Sequence, residues 1–351
     1  MPNWKVRRLE EDDPLTQEPD KLVSGKRYWF FKYFPPEDEV DIIDIGEDSW
    51  FLKIEKKLKF YIRQAFQAFR RRNDYDLVIS HGAQSGLVYQ LLTSFTRRNP
   101  KYLLFDIGGL NGARMDHVQT PLIRFALRKK PYIIVHSSQQ IDWYEENYPE
   151  LAPRVRYIPF GADCDFFMPL HLETGKTIVT FGYKKRDRET LLQAWDALED
   201  HHGFRLIVVG NPTLPQSRTE GKDIESLPTI PIDQLTHMMA ACAFIVLPLP
   251  ELPYSYGQMS LLHAMAVAKP LVVSRTTSTI DYITDAPKGG VVPVEPGNVA
   301  EMKEALQHMM EKSPALLEAL GETNRLFVTE KFTGETMAKQ IHAYIDEIFS
   351  H

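Results

Sequence analysis

Phe244-Ile-Val-Leu-Pro-Leu-Pro-Glu-Leu-Pro-Tyr-Ser-Tyr-Gly-Gln-Met-Ser-Leu-Leu-His-Ala-Met-Ala-Val-Ala-Lys-Pro-Leu-Val-Val-Ser274 is the most informative stretch of this sequence. A continuous apolar run ends at Pro248, as expected of a strand covered on both faces. A polar, aromatic loop leads to Gly257, and a helix starts at Gln258. Ala268-Lys269-Pro270 ends that helix before a second apolar run. Strand, loop, helix and strand make a βαβ unit, and such units build parallel sheets. Glycine at a helix start lets a ligand approach free N–H groups, where the dipole favours an anion such as a diphosphate. A plain turn at Gly257 is the other reading.

The same alternation extends in both directions. Around this stretch the pattern predicts strands at Thr177–Phe181, Phe204–Val209 and Gly290–Val294, with helices near Arg188–Leu198, Ile232–Ala241 and Val299–Glu311. In the first half it predicts strands at Tyr28–Tyr33, Val40–Ile45, Leu77–Ser80, Tyr102–Asp106, Tyr132–His136 and Val155–Ile158. Helices are predicted at Trp50–Arg71, Ser85–Arg97 and Thr120–Lys129. The first 25 residues lack periodicity and read as an irregular arm. The pattern breaks at Met168–Lys176, where Pro169 and Gly175 interrupt it. The expected organisation is therefore two doubly wound domains, 1–169 and 170–335, and a last helix, 336–351, that returns to the first. Open α/β sheets bind ligands at the carboxyl ends of their strands, so two facing sheets would place the site in the cleft between them.

A length of 351 residues suits two domains, and 43% hydrophobic with 25% charged residues is ordinary for a globular chain. A net charge of −6 argues against a general nucleic-acid binder. Two cysteines supply neither a disulfide framework nor a four-ligand zinc site. No apolar run approaches the roughly 20 residues that span a bilayer, and no signal peptide is evident. These features predict a cytoplasmic protein, free or peripheral on the inner face of the membrane. Trp50 to Arg72 reads as an amphipathic helix, with Phe51, Ile54, Leu58, Tyr61, Ala65 and Phe69 at helical spacing and Lys53, Lys56, Lys57, Lys59, Arg63, Arg70, Arg71 and Arg72 supplying charge. A helix of that kind can lie on an anionic lipid surface, or pack on the sheet with a solvated basic face.

The segment Leu261-Leu-His263-Ala-Met-Ala-Val-Ala-Lys-Pro-Leu-Val272 resembles the donor-binding segment of GT-B glycosyltransferases, closest to glycosyltransferase family four. That family often reads Leu-Leu-Glu-Ala-Met-Ala-x-Gly-Lys-Pro-Val-Val. Flanking features agree: Ile158-Pro-Phe-Gly-Ala-Asp163 at the domain junction, Gly182 with basic residues after a strand, and Pro293-Val-Glu-Pro-Gly297. The resemblance implies an α/β, GT-B fold of two Rossmann-like domains. It further implies a metal-independent, retaining transferase with no cofactor. Its donor would be a nucleotide-diphosphate sugar, with UDP or GDP expected as nucleotide, and its acceptor a glycan or lipid-linked sugar of polysaccharide or glycoconjugate synthesis.

The resemblance assigns the donor to the second domain. Lys184, Lys185 and Arg186 lie where the family has a basic pair, and cations there can stabilise a departing diphosphate. Lys184 and Arg186 lead as catalytic groups. Gly182, Asn211, Ile230, Ser255, Tyr256, Gly257, Gln258 and His263 complete the expected donor site. The family's two glutamates are replaced here by Ser255 and His263; a neutral imidazole could still bond a ribose hydroxyl. In the first domain, Asp106 at a strand end precedes Gly108-Gly109-Leu110-Asn111. It is a candidate base on the acceptor hydroxyl, or simply a turn aspartate. His81, Gly108, Gly109, Asn111, Arg114 and His136 are the expected acceptor contacts. Two rival readings are a degenerate, non-catalytic sugar-nucleotide-binding subunit, and a GT-B epimerase or phosphorylase.

Overall fold

The computed structural model describes residues 1–10, 20–47, 50–58, 60–110, 119–170, 172–182, 185–210, 213–216, 219–221 and 223–350. These form two compact units. The N-terminal unit comprises Met1–Pro159, Pro253–Tyr256 and Met337–His351; the C-terminal unit comprises Phe160–Leu252 and Gly257–Thr336.

In the N-terminal unit, β1 (Arg7–Leu9) pairs in parallel with β2 (Lys21–Val23), so the predicted arm contains a short ribbon. Helices α1 (Trp50–Leu58) and α2 (Ile62–Arg70) follow. The sheet itself is β3 (Leu77–His81), β4 (Lys101–Phe105), β5 (Tyr132–Val135) and β6 (Val155–Tyr157), all parallel and in sequential order. The crossovers hold α3 (Ala83–Thr93), α4 (Gln119–Leu127) and α5 (Gln139–Asn147). Leu104, Ile133, Val135, Leu110 and Tyr144 meet in the core. Continuous apolar strands suit a sheet buried on both faces.

Three predicted elements differ. Trp29–Tyr33 forms a 3-10 turn, not a strand. Its successive aromatics pack on one another and over the sheet, Trp29 against His81 and Phe30 against Phe105, so they cannot alternate between two faces. Val40–Ile45 is extended without a strand partner. Side chains take its carbonyls instead: Gln64 Nε2 donates to Ile43, and Arg63 Nη2 to Ile45. The predicted helix 50–72 is two helices. Buried Glu55 reaches forward and accepts from the Arg63 N–H at 2.8 Å, which satisfies the start of α2 and fixes the break.

The C-terminal unit carries a six-stranded parallel sheet. Its elements in chain order are β7 (Thr177–Phe181), α6 (Arg188–Asp196), β8 (Arg205–Val209), β9 (Ile224–Leu227), α7 (Ile232–Ala241), β10 (Phe244–Leu247), α8 (Gln258–Ala266), β11 (Leu271–Ser274), α9 (Ile280–Ile283), β12 (Val291–Val294), α10 (Val299–Met310) and α11 (Pro314–Lys331). The order across the sheet is β12-β11-β10-β7-β8-β9. The first strand thus lies beside the fourth, and the chain winds outward from that pair on both sides, the doubly wound order of dinucleotide-binding sheets. Trp195, Phe244, Val208 and Leu306 fill the core. The last helix, α12 (Gly334–Ser350), lies in the N-terminal unit from Met337 onward.

Local sequence explains the helix starts. Asn298 caps α10 while Glu301 reaches back to the Asn298 amide and to the Glu295 N–H. Ser313 caps α11, with Pro314 at its first position. Helix α11 then locks α8. Asn324 donates to the Lys269 and Gly290 carbonyls, and Arg325 to those of Ala266, Phe167 and Cys164. Asn324 is fully buried. Asn324→Ala removes both bonds and leaves the buried Lys269 carbonyl unpaired, while that of Gly290 keeps the Leu271 N–H; it is expected to lower unfolding free energy by about 1–3 kcal/mol, measured by chemical denaturation.

Candidate active site

Strands β7 and β10 are neighbours, in register at Phe244 with Ile178 and Ile245 with Val179. Their chains leave the carboxyl edge in opposite directions, which opens a crevice at the switch point. The Asp187 N–H donates to the Pro248 carbonyl at 2.9 Å, joining the two exit loops. The β10 loop is anchored further along: the Leu249 N–H donates to Ser274 Oγ, and Glu251 accepts from the Thr277 N–H.

Gly182 and Arg186 meet in the β7 loop. Gly182 has φ +136°, and a Cβ there would stand 2.5 Å from the Arg186 guanidinium. Only glycine permits that approach. Arg186 Nε donates to the Phe181 carbonyl at 2.9 Å, and Nη2 to Ser260 Oγ at 2.7 Å. Ser260 lies in the first turn of α8, so Arg186 is held beside that helix start. A second cation lies close by: Arg188 Nη2 donates to the Gly182 carbonyl, and burial lowers its pKa.

The two helix starts at this edge differ. Asp187 closes α6, accepting from the Thr190 N–H and Oγ1. Gly257 starts α8 at φ +90° and offers no side-chain cap. Gln258 is 5% exposed, and its Nε2 has no hydrogen-bond partner among the described residues. A helix N-terminus without a side-chain cap and an arginine bonded to its first turn are features that favour an anion electrostatically.

The remaining predicted donor residues are distributed differently. Lys184 and Asn211 lie outside the described residues. Lys185 is exposed, in a left-handed turn at φ +51°. Ile230 follows β9, two strands from β7. His263 is buried on α8 and stacked on Phe167, with ring centroids 3.6 Å apart. Burial lowers its pKa to about 3, so the ring is neutral. Ser255 and Tyr256 belong to the N-terminal unit, where Ser255 Oγ donates to Gln140 Oε1 at 2.6 Å.

In the N-terminal unit, His81 ends β3, and Asp106 and His136 directly follow β4 and β5. The His81 and His136 rings flank Phe105 and are 6.5 Å apart. Burial first, then the neighbouring His136, holds His81 well below the usual histidine pKa. Neither His81 ring nitrogen has a hydrogen-bond partner among the described residues. His136 Nδ1 donates to the Ile158 carbonyl, and burial lowers its pKa to about 4.

Asp106, expected as a base or as a turn aspartate, makes the bonds of a turn aspartate. Its Oδ1 accepts from the Gly108, Gly109 and Leu110 N–H groups, and Oδ2 from the Tyr144 hydroxyl at 2.7 Å. The carboxyl group is fully buried, and these four bonds give it the part of a turn-organising aspartate. The same bonds occupy the Gly108 and Gly109 amides expected to meet a ligand. A side chain at Gly108 would strike the Tyr254 ring, and one at Gly109 would strike Ala83, so packing explains both glycines. Asn111 and Arg114 lie outside the described residues. Ser260, Arg188, Tyr144 and Gln140 were not anticipated. Ser260 could have been, standing one turn into a helix already read as an anion site; the other three needed the fold.

Residues 175–312 match the family model described as Glycosyl transferases group 1. No curated protein matches. Among solved structures, sucrose-phosphate synthase from Thermosynechococcus elongatus is similar at 20% identity and TM-score 0.68, over 100% of this chain and 88% of that one. Anabaena HepE in complex with UDP is similar at 13% identity and TM-score 0.66, over 81% and 82%. WaaG, a glycosyltransferase involved in lipopolysaccharide biosynthesis, is similar at 15% identity and TM-score 0.62, over 86% and 87%. The chain thus has the parallel-sheet α/β fold of GT-B glycosyltransferases, as the Leu261–Val272 segment led us to expect.

Neutral, buried His81, His136 and His263 tie stability to pH. Their folded pKa values lie below the unfolded value, so their contribution is present above about pH 6.5 and is lost on acidification. Asp106, raised by burial, acts in the opposite sense: its contribution is present at acid pH and lost as pH rises through its folded value. Between pH 6.5 and 5 the histidines dominate. Unfolding free energy should fall by about 1.4 kcal/mol per pH unit for each, and denaturation curves that coincide at pH 7 and pH 5 would refute this.

Proposed function

We propose that this chain is a glycosyltransferase that transfers sugar from a nucleotide-diphosphate donor to a glycan or lipid-linked acceptor. The observation that carries the reading is the uncapped start of α8 at the β7/β10 switch point, with Arg186 bonded to Ser260 and Gln258 Nε2 unpaired. The donor diphosphate would accept from the α8 N–H groups, Gln258 and Arg186. The acceptor hydroxyl oxygen attacks the anomeric carbon as the bond from that carbon to the phosphate oxygen breaks, the hydroxyl proton passes to the departing phosphate oxygen, and the nucleoside diphosphate leaves. Arg186, Arg188 and the helix dipole stabilise the charge that grows on the leaving phosphate. This electrostatic set could serve where a metal otherwise would, and a retaining, metal-independent course belongs to the same proposal. UDP is the first nucleotide to test, because HepE is described in complex with it. Acceptor binding is assigned to the N-terminal unit, with His81 and His136 at its carboxyl edge.

A non-catalytic nucleotide-binding subunit is the second reading. It is favoured by Ser255, bonded to Gln140, and His263, stacked on Phe167, at the family's glutamate positions. A thermal-shift screen with UDP, GDP and ADP, followed by turnover assays with the matching nucleotide sugars, separates the two. Arg186→Ala should weaken nucleotide binding by about 1–3 kcal/mol. Unchanged affinity would remove the diphosphate assignment, and binding without any transfer or hydrolysis would favour the second reading.

We also propose that α1 and α2 rest on an anionic membrane surface at the cytoplasmic face. Among the described residues no helix is long and apolar enough to cross a membrane. These two helices nevertheless face solvent with Trp50 (74% exposed), Ile54, Leu58, Ile62 and Phe66, while polar Glu55 and Gln64 are buried. Exposed Lys53, Lys56, Lys57, Arg63 and Arg70 surround the apolar residues. Apolar side chains that insert, ringed by cations that meet lipid phosphate, are the pattern of an interfacial helix. The protein should co-sediment with vesicles rich in phosphatidylserine, and Trp50→Ser with Leu58→Ser should reduce this at least several-fold. Equal recovery with purely zwitterionic vesicles would refute the electrostatic part.

A further inference from the structure

The N-terminal sheet has a second feature, at the edge opposite His81 and His136. A cavity of about 200 Å³ lies where β4 and β5 begin, and all of its lining residues belong to the N-terminal unit. The lining holds Lys101, Lys129, Lys130 and Arg154 and no acidic residue, in a chain of net charge −6. Helices α3 and α4 both end here, and cations suit helix C-termini. That accounts for part of the charge: Lys129 Nζ reaches the Thr96 carbonyl at 3.5 Å, and Arg128, from outside the lining, donates to that of Ser94. Lys101 and Lys130 have no ion-pair partner among the described residues. Lys130 also holds a left-handed φ of +51°, where glycine or asparagine is the usual choice.

Two further lining side chains are unsatisfied. The Tyr89 hydroxyl and Gln90 Oε1 are buried, and neither has a hydrogen-bond partner among the described residues. Buried polar groups are seldom left in that state. One can donate and the other can only accept, so a matching ligand presents both an acceptor and a donor, as hydroxyls do. Tyr102 and Tyr132 add aromatic walls, Tyr102 stacked on Tyr89 and Tyr132 beneath the Arg154 guanidinium. The volume is below the roughly 300–1,000 Å³ of sites for drug-sized ligands and suits one small metabolite.

We propose that this cavity is a second small-molecule site that takes a sugar phosphate. The phosphate pairs with Lys101 and Lys130, and the sugar hydroxyls satisfy Tyr89 and Gln90. The inference rests on the N-terminal unit alone and stands apart from the donor-site reading. Calorimetric titration of the full chain with glucose 6-phosphate, glucose and inorganic phosphate tests it. Saturable binding of glucose 6-phosphate is expected, at least tenfold tighter than either fragment. Lys101→Ala with Lys130→Ala should weaken it tenfold or more, and Tyr89→Phe, which keeps the shape, several-fold, with nucleotide binding unchanged. No heat at millimolar glucose 6-phosphate would overturn the proposal. So would affinity that the substitutions leave intact in folded protein, which would place the ligand elsewhere, or equal affinity for inorganic phosphate.

Discussion

Adjacent parallel strands whose chains depart in opposite directions cannot close over their own carboxyl ends. In the C-terminal unit β7 and β10 are that pair, and the crevice they leave is imposed by strand order before any side chain is chosen. The exit loops must meet across it, and the Asp187–Pro248 bond is where they do. Gly182 then lets Arg186 fold back to Ser260, which brings a cation to the first turn of α8. The Asn324 and Arg325 bonds from α11 hold the other end of that helix, so its N-terminus is a fixed point in the unit.

Polar groups at the carboxyl edges of the two sheets are used in different ways. Asp187 closes one helix start and Asp106 closes a turn, each with both carboxyl oxygens hydrogen-bonded. Gly257 gives its helix start no side-chain cap, and buried Gln258 Nε2 has no hydrogen-bond partner among the described residues. A fold tolerates such a cost where a ligand can recover it. The same reasoning explains why Asp106, attractive by position, belongs with the scaffold.

Much of the C-terminal unit was legible in the sequence. β7, β8, β10, β11 and β12 are apolar runs separated by helical patterns, and Gly257-Gln258 marks a helix start. Strand β9 and helices α9 and α11 were not placed. Ile224–Leu227 contains Glu225 and Ser226 at the sheet edge, which breaks the apolar run. The first seventy residues were read less well. An aromatic cluster imitates a strand at Trp29–Tyr33, and Val40–Ile45 gives its carbonyls to Gln64 and Arg63 from a helix downstream. Periodicity reports which residues are apolar, but not which backbone groups a distant side chain will take.

By itself, then, the sequence determined a parallel α/β chain in two parts, with a glycine-started helix that could receive an anion. Those features follow from local rules: strand burial, helix period and the conformational range of glycine. Tertiary structure decided which residues act together. It gave Arg186 to Ser260, Ser255 to Gln140 across 115 positions, and Asp106 to Tyr144 across 38. It also left Trp50, Ile54, Leu58, Ile62 and Phe66 of α1 and α2 exposed while burying Leu52, Ala65 and Ala68. Hydrogen-bond partners and exposure depend on distances between segments far apart in the chain, and no local pattern encodes those distances.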